Sequence, residues 1–249
     1  MKVSFKILRA GTFVLAAVLS GCPVHQAVRP GSAGETIAPA VSPPTPRSAV
    51  PPGSASRLGR PYDIVAGESS LIVLVYRAGA LAMAGHNHVI ASHDLAGTIY
   101  VPTDLMQTTF EIRVPVGGLT VDEATIRAQQ GTEFTAAVPD AARDGTRRNM
   151  LSAALLDVER FTQIVVQSDH LEAGAGGAIQ AYVRMEVRQS AQPVVIPVHY
   201  EMKPREVVVS GELPLKQTDL GLTPFSALLG ALQVQDEMRV KFRLVARSQ

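Results

Sequence analysis

The sequence predicts an all-β protein, an antiparallel β-barrel of about eight strands with a short helical insertion. Several segments alternate between apolar and polar residues with a period of two, which is typical of strands with one buried face. Hydrophobic residues make up 46% of the chain and charged residues only 18%, a balance that favours a packed core. An antiparallel sheet of this kind loses its exposed edges when it closes into a barrel.

The predicted strands lie in the part of the chain that begins at Tyr62. Residues 69–77 are apolar on both faces, as in a buried central strand, and residues 94–101 form a further strand that ends before Pro102. We interpret residues 85–93 as a turn at the lip of the barrel. The remaining predicted strands alternate clearly or are rich in β-branched residues, and they cover residues 110–114, 163–170, 179–188, 193–203, 205–216 and 237–244.

Two helical segments interrupt this series. Residues 120–123 read Thr-Val-Asp-Glu, a capping-box pattern that predicts a helix reaching residue 130. Asp144-Gly145 predicts a turn, after which Thr146 caps a helix over residues 147–158 with one apolar face. Residues 220–232 contain Pro and Gly and predict a short broken helix or a loop.

Residues 1–21 have the features of a secretory signal peptide. Three basic residues precede an uncharged, mostly apolar run over residues 10–21. At about 1.5 Å per residue, that run is too short to cross a hydrocarbon core of ~30 Å as a helix. The segment Leu19-Ser20-Gly21-Cys22 resembles a bacterial lipobox, which implies that Cys22 is the lipid attachment site and carries acyl chains such as palmitate. The alternative is a free or buried thiol after an ordinary leader.

An acylated Cys22 predicts a lipoprotein of the bacterial cell envelope, anchored on the periplasmic face of a membrane. Pro23 follows the cysteine, where enteric inner-membrane lipoproteins have Asp, and this difference favours the outer membrane. Residues 22–58 are rich in Pro, Gly, Ser and Ala, a composition that cannot bury enough apolar surface to fold. We therefore expect this segment to be an extended tether and residues 59–249 to be the barrel domain.

The net charge argues against a nucleic-acid partner, and the cysteine content excludes an intramolecular disulfide. The formal net charge is +1, and it becomes −2 without the three basic residues of the leader, so nucleic acid is not an expected partner. Cys22 is the single cysteine of the chain, which rules out an intramolecular disulfide. The oligomeric state stays open, with a homodimer as one alternative.

Two blocks of sequence resemble the YceI-like family. One runs Gly211-Glu212-Leu213-Pro214-Leu215-Lys216-Gln217-Thr218-Asp219-Leu220-Gly221-Leu222-Thr223-Pro224-Phe225-Ser226 and continues at residues 234–240. The other is Met150-Leu151-Ser152-Ala153-Ala154-Leu155-Leu156-Asp157-Val158-Glu159-Arg160-Phe161. The resemblance covers about residues 60–247. It implies a lipocalin-like barrel and a periplasmic carrier that binds a polyisoprenoid chain inside it.

The sequence departs from the family pattern at two places. Thr162 stands where a proline usually follows the aromatic residue. Residues 85–90 read Gly-His-Asn-His-Val-Ile, where better-known members have one histidine followed by a longer stretch containing Gly and aromatic residues. The chain therefore resembles a divergent branch of the family.

The expected ligand is an apolar, isoprenoid-like lipid held in the barrel for transport or storage. Each buried CH₂ contributes about 0.8 kcal/mol, so on the order of ten of them offset an association cost of ~4–15 kcal/mol. No catalytic group is needed for such binding, and the sequence predicts a protein that is not an enzyme. A barrel filled by its own side chains is the alternative. The predicted lining residues are Leu71, Val73, Val75, Ile179, Val183, Met185, Val240 and Phe242.

Three histidines offer a second hypothesis. His86 and His88 would point to one side of a strand, and with His93 they could supply three imidazoles to a metal ion. The chain would then be a metal-binding protein or a metal-dependent enzyme. The alternative is that they make polar contacts in a loop or at the mouth of the barrel, and no fourth ligand is evident in the sequence. Asp94 could pair with His88 or His93 as an acid and base, but no activated nucleophile is apparent nearby. We therefore expect neither a cofactor nor a resident metal.

Overall fold

The structure, a computed structural model, describes residues 58–249. The predicted leader, the acylation site Cys22 and nearly all of the tether lie outside these residues. Two α-helices occur in the described part, α1 (Ala124–Arg127) and α2 (Asp140–Leu151). The strands are β1 (Arg60–Ile64), β2 (Ser70–Val75), β3 (Arg77–Ala78), β4 (His88–Ser92), β5 (Ala96–Val101), β6 (Thr109–Pro115), β7 (Thr120–Val121), β8 (Gln163–Ala173), β9 (Ile179–Val187), β10 (Ser190–Lys203), β11 (Glu206–Lys216), β12 (Ser226–Ala227), β13 (Leu232–Val234) and β14 (Glu237–Arg247).

Within residues 58–249, eight strands close into an antiparallel barrel in the order β1-β5-β6-β8-β9-β10-β11-β14. The ring closes where β1 pairs with β14, with Ile64 opposite Ala246. Long hairpins form most of the wall, since β8, β9, β10 and β11 follow one another in the chain and in the sheet. The predicted lipocalin-like barrel of about eight strands is confirmed.

Three more strands extend the sheet from β14, in the order β2-β4-β7. β4 lies inside residues 85–93, which we had interpreted as a turn, so that interpretation was wrong for residues 88–92. Val89, Ile90 and Ala91 are buried on this strand, and β4 pairs with β2 along its full length. The short apolar run between His88 and His93 is the signal that could have identified this strand. A separate three-stranded sheet contains β12, β13 and β3.

The first predicted helix is much shorter than expected. Thr120 and Val121 form β7 and pair with Ala91 and Ile90 of β4. The Thr120 hydroxyl donates a hydrogen bond to the Glu123 carboxylate, so the residues of the capping box bond to each other. Only Ala124–Arg127 is α-helical. The pairing with β4 takes the backbone of the first two residues out of the helix.

The second helix is displaced towards the N-terminus. It spans Asp140–Leu151, so Gly145 and Thr146 lie inside it, and the prediction of a turn followed by a cap at Thr146 was wrong. Pro139 precedes the helix, and Asp140 lies in its first turn, where an acidic residue is favourable. Residues 220–232 form a loop with a 3₁₀ turn at Leu228–Gly230 and the short strands β12 and β13.

The two apolar faces of β2 pack on different sides of the sheet. Leu71, Val73 and Val75 face the interior of the barrel. Leu74 faces outward and is buried with Val89 and Phe134 beneath the segment that contains α1. This outer cluster explains why β2 lacks a polar face. Among the described residues, none of the helices is both long and apolar enough to cross a membrane.

Candidate functional site

The barrel encloses an elongated apolar cavity of about 580 Å³. This volume lies within the range of about 300–1,000 Å³ that small-molecule sites occupy. The lining reaches from Val75, at the end of β2, to Met202, beside the turn between β10 and β11. Most of the lining side chains are aliphatic, because the inward positions of the alternating strands are Val, Ile, Leu and Met. The cavity therefore suits a long, flexible hydrocarbon.

Seven of the eight predicted lining residues face this cavity. The exception is Val183, which is only 2% exposed and packs in the wall with Ile196 and Leu213. It shares the inward face of β9 with Ile179 and Met185, but its neighbours cover it. The seven lining residues are Leu71, Val73, Val75, Ile179, Met185, Val240 and Phe242.

Phe242 occupies its place in the wall because Gly211 lies opposite it on β11. A Cβ atom at Gly211 would lie 2.7 Å from the Phe242 ring and 2.5 Å from the Pro197 carbonyl oxygen. Real Cβ atoms do not approach so closely, and the missing side chain leaves room for the ring beside β11. The glycine thus provides room for one of the few aromatic groups that line the cavity.

Four polar side chains meet at one end of the cavity. His86 and His88 come from the segment that leads into β4, and Thr146 and Asn149 come from α2. The two imidazole rings lie 6.1 Å apart between centroids, and the Thr146 hydroxyl lies 3.1 Å from Nε2 of His88. We call these four residues the polar corner. It gives a mostly aliphatic cavity a group of hydrogen-bonding side chains at one end.

Asp122 fixes the orientation of His88. Its Oδ2 atom lies 2.6 Å from Nδ1 of His88, and its side chain is fully buried. Because an ionised carboxylate only accepts hydrogen bonds, Nδ1 carries the proton and donates it. In the neutral ring, Nε2 is then free to accept a hydrogen bond from Thr146 or from a ligand hydroxyl.

The environment of Asp122 favours its ionised form. Burial on its own would raise the pKa of the Asp122 carboxyl. The hydrogen bonds from His88 and from the backbone N–H of Val89, together with the charge of Arg127, outweigh that effect. The net result is a pKa below its usual range. Asp122 also has a positive φ of 52°, which places its side chain back against β4.

Arg127 completes this buried network. Its Nη1 donates to Oδ1 of Asp122 at 2.6 Å and to the carbonyl of Asn87 at 2.8 Å. Its Nη2 donates to the carbonyl of Ala136 at 3.1 Å, and the guanidinium lies over the Phe134 ring. These contacts hold the segment that contains α1 against β4. The network therefore supports both the local fold and the orientation of His88.

The three histidines proposed for a metal ion do not meet at one point. His93 bonds to the exposed carboxylate of Glu123 at 3.0 Å, whereas His88 bonds to Asp122. No three His, Cys, Asp or Glu side chains of residues 58–249 are arranged to hold a metal ion. His88 makes its polar contacts at one end of the cavity, whereas His93 follows the other end of β4 and does not line the cavity.

Thr146, His88 and Asp122 have the order of hydroxyl, imidazole and carboxylate that hydrolytic triads use. Two features work against the same chemistry here. Arg127 shares the Asp122 carboxylate and so reduces its ability to stabilise an imidazolium. Thr146 lies in the middle of α2, where backbone N–H groups bond within the helix and are not available to hold an oxyanion. The geometry is better suited to binding a hydroxyl group.

Comparison with known proteins agrees with this architecture. The family model of the YceI-like domain matches residues 63–246, which are most of the chain. The chain belongs to the YceI-like family. No curated protein matches it.

Solved structures show the same YceI-like fold. BcnA of Burkholderia cenocepacia is 13% identical, with a TM-score of 0.54 over 74% of this chain and 99% of that chain. A polyisoprenoid-binding domain from Saccharophagus degradans, implicated in plant cell wall breakdown, is 11% identical. Its TM-score is 0.52 over 76% of this chain and 98% of that chain. At these identities the similarity establishes the fold.

Proposed function

We propose that this protein is a lipid-binding envelope protein that holds an isoprenoid-like molecule in its barrel for transport or storage, without catalysing a reaction. The observation that carries the proposal is the mostly aliphatic cavity, which extends along the strands and has the polar corner at one end. A long hydrocarbon with one polar end matches that distribution of groups. Binding requires only burial and one or two hydrogen bonds.

The family and the structural neighbours support a lipid ligand. One neighbour is described as binding polyisoprenoid, and it shares the barrel fold. The aliphatic lining suits a chain of linked isoprene units, because each additional buried CH₂ contributes about 0.8 kcal/mol. The polar corner would orient the chain, with its polar end at His88 and its hydrocarbon along the wall.

The proposed location follows from the N-terminal residues. Acylation at Cys22 would anchor the protein on the periplasmic face of the outer membrane, and the Pro-rich tether would give the barrel reach. Labelling of the expressed full-length chain with palmitate tests the anchor, since Cys22→Ser should abolish the label. A labelled Cys22→Ser variant would contradict this part of the proposal.

Native mass spectrometry tests the ligand directly. Residues 58–249 contain every strand of the barrel and can be expressed with a periplasmic leader and purified without denaturation. We expect an added mass that corresponds to a long-chain lipid and that organic solvent removes. A bare polypeptide mass would contradict the proposal, and a chelator-sensitive metal mass would support the histidine alternative.

A matched pair of variants shows whether the lipid lies in the cavity. Val73→Phe replaces an isopropyl group with a phenyl ring that extends into the cavity. We expect bound lipid to fall at least about tenfold, because the ring displaces several CH₂ groups of the ligand. Val195→Phe makes the same change on the outer face of β10, where Val195 is 45% exposed. Equal lipid loss in both variants would place the ligand elsewhere.

A further inference from the structure

Two chain segments, residues 77–85 and 220–235, meet at the end of the barrel that holds the polar corner. β3 pairs with β13, with Arg77 opposite Val234, and the backbone N–H of Leu81 donates to the carbonyl of Ala231 at 2.7 Å. Gly79 has a φ of 89°, and a Cβ atom there would lie 2.4 Å from the Ala231 carbonyl oxygen. This close approach holds the segments side by side.

Large apolar side chains project from both segments into solvent. Met83 is 84% exposed, Leu228 is 67% exposed, and Leu229 is fully exposed. Leu81 lies beside them and is also exposed. We call these four residues the apolar tip. Exposed loops are usually polar, yet residues 78–85 and 220–235 contain no Asp, Glu, Lys or Arg.

The backbone of the apolar tip is strained at its two most C-terminal leucines, whose side chains are exposed. Leu228 and Leu229 have φ values of 52° and 55°, both in the left-handed region that branched side chains avoid. Neither side chain gains enough packing within the protein to offset that strain, since both remain exposed. Strain of this kind is typical of segments that act on a partner.

The tip is continuous with the lipid cavity. Ala84 and Gly85 follow Met83 and line the cavity, and Phe225 and Leu232 do so on the other segment. A molecule that leaves the cavity between these segments would therefore pass directly along the four exposed apolar side chains. Such an arrangement lets a hydrocarbon move between the cavity and an apolar medium with little exposure to water.

We propose that the apolar tip docks on the surface of a lipid bilayer and inserts its four side chains at the boundary between headgroups and acyl chains. A bilayer fits better than a protein partner because four side chains are far fewer than the 20–30 residues a side of a stable protein interface. Shallow insertion by about 5–10 Å is enough for a membrane-surface element. The docking surface is separate from the anchor at Cys22, and its role in lipid exchange rests on the proposed function.

The chain contains no tryptophan, so a single introduced Trp is a specific fluorescent probe. Leu229→Trp places it in the tip, and Val195→Trp places it on the outer wall as a control. Both are made in residues 23–249, which include the whole barrel and lack the acylation site. Vesicles of phosphatidylethanolamine and phosphatidylglycerol should shift the emission of the first variant to shorter wavelength and leave the second unchanged.

A loss variant measures how much the tip contributes. Asn is a polar residue that tolerates the left-handed region, so Leu228→Asn with Leu229→Asn keeps the backbone while removing two apolar groups. We expect its partitioning into these vesicles, measured by flotation, to fall at least about tenfold. Val195→Asn should leave partitioning unchanged.

Three outcomes would overturn the docking proposal. They are equal spectral shifts at both Trp positions, unchanged flotation of the double Asn variant, and a shift that depends on protein concentration without vesicles, which would indicate a second copy as the partner. Native mass spectrometry of the same samples separates the two proposals. A chain that binds vesicles but carries no lipid would contradict the carrier function alone.

Discussion

The aliphatic wall of the cavity and the buried network behind its polar corner differ in how their parts are distributed along the chain. One strand such as β9 contributes several wall positions at a spacing of two residues. The network instead joins His88, Asp122, Arg127 and Thr146, and the first and the last are 58 positions apart. The wall therefore repeats a local pattern, whereas the network exists only after the chain has folded.

This difference has an energetic consequence. Wall side chains contribute by area, so replacing one aliphatic group with another changes the stability by small increments. The members of the network are buried charges and hydrogen-bonding groups, and each leaves an unsatisfied partner when it is removed. We therefore expect larger effects from single substitutions in the network than in the wall.

Arg127→Met is predicted to have the largest effect. The substitution keeps an unbranched side chain over Phe134 but leaves the carboxylate of Asp122 buried without its cation. Breaking a buried ion pair in this way costs about 3–5 kcal/mol. Urea unfolding followed by circular dichroism measures this loss as a lower free energy of unfolding.

Arg143→Met is the control for that measurement. Arg143 pairs with the exposed Asp140 on the surface of α2. Exposed pairs contribute about 0–1 kcal/mol, so this variant should remain close to the wild type. Similar losses in the two variants would show that the network has no special role.

The second largest effect is expected from low pH, which should weaken the buried network around Asp122. The pKa of Asp122 is lower in the folded chain than its unfolded value of about 3.9, so its ionised form stabilises the fold above that pH. This contribution is lost as the pH falls through the folded pKa. The free energy of unfolding should therefore fall more steeply below about pH 4 in the wild type than in Asp122→Asn. Parallel pH curves for the two proteins would contradict the assignment.

The sequence was sufficient to predict the wall. The alternation along residues 179–188 and 237–244 reports one buried face directly, and seven of the eight predicted lining residues face the cavity. Val183 lies on the predicted inward face but does not line the cavity, because alternation gives only the side of a strand that a residue faces. It does not show whether Ile196 and Leu213 cover that residue.

The network could not be predicted from local patterns. Asp122 lay within an apparent capping box and Arg127 in the helix predicted after it, and Thr146 followed an Asp-Gly pair that usually marks a turn. His93 was grouped with His88 by its position in the sequence, but β4 separates the two, and they bond to different carboxylates. A pairing between residues 34 positions apart, such as His88 with Asp122, leaves no periodic signal.

Gly211→Ala tests the packing of the wall. The new Cβ would overlap the Phe242 ring and the Pro197 carbonyl, so the ring or the strand must move. Overpacking of this kind costs about 1–3 kcal/mol, which thermal and urea unfolding would detect. Gly67→Ala is the control, because no atom lies within 4 Å of the Cβ built there. A Gly211→Ala variant as stable as this control would show that the Phe242 ring and the neighbouring strand can move to accommodate a Cβ atom at little cost in stability.

Thr146→Val is predicted to have the smallest effect on the free energy of unfolding. It tests the polar corner at a side chain that lines the cavity. The substitution preserves the shape of the side chain and removes the hydroxyl that bonds to Nε2 of His88. Because His88 borders the cavity, water or a ligand hydroxyl can replace that partner, and the free energy of unfolding should fall by only about 0.5–1.5 kcal/mol.

Nitrogen-15 NMR of the His88 ring distinguishes this local change from a general loss of structure. Asp122 still accepts the Nδ1 proton in Thr146→Val, so the tautomer should be retained while the Nε2 signal moves. In Asp122→Asn the side-chain amide no longer provides a charged acceptor, and the tautomer preference should weaken. If both variants gave the same mixture of tautomers, Asp122 would not be the group that orients His88, and the polar corner would owe its geometry to α2.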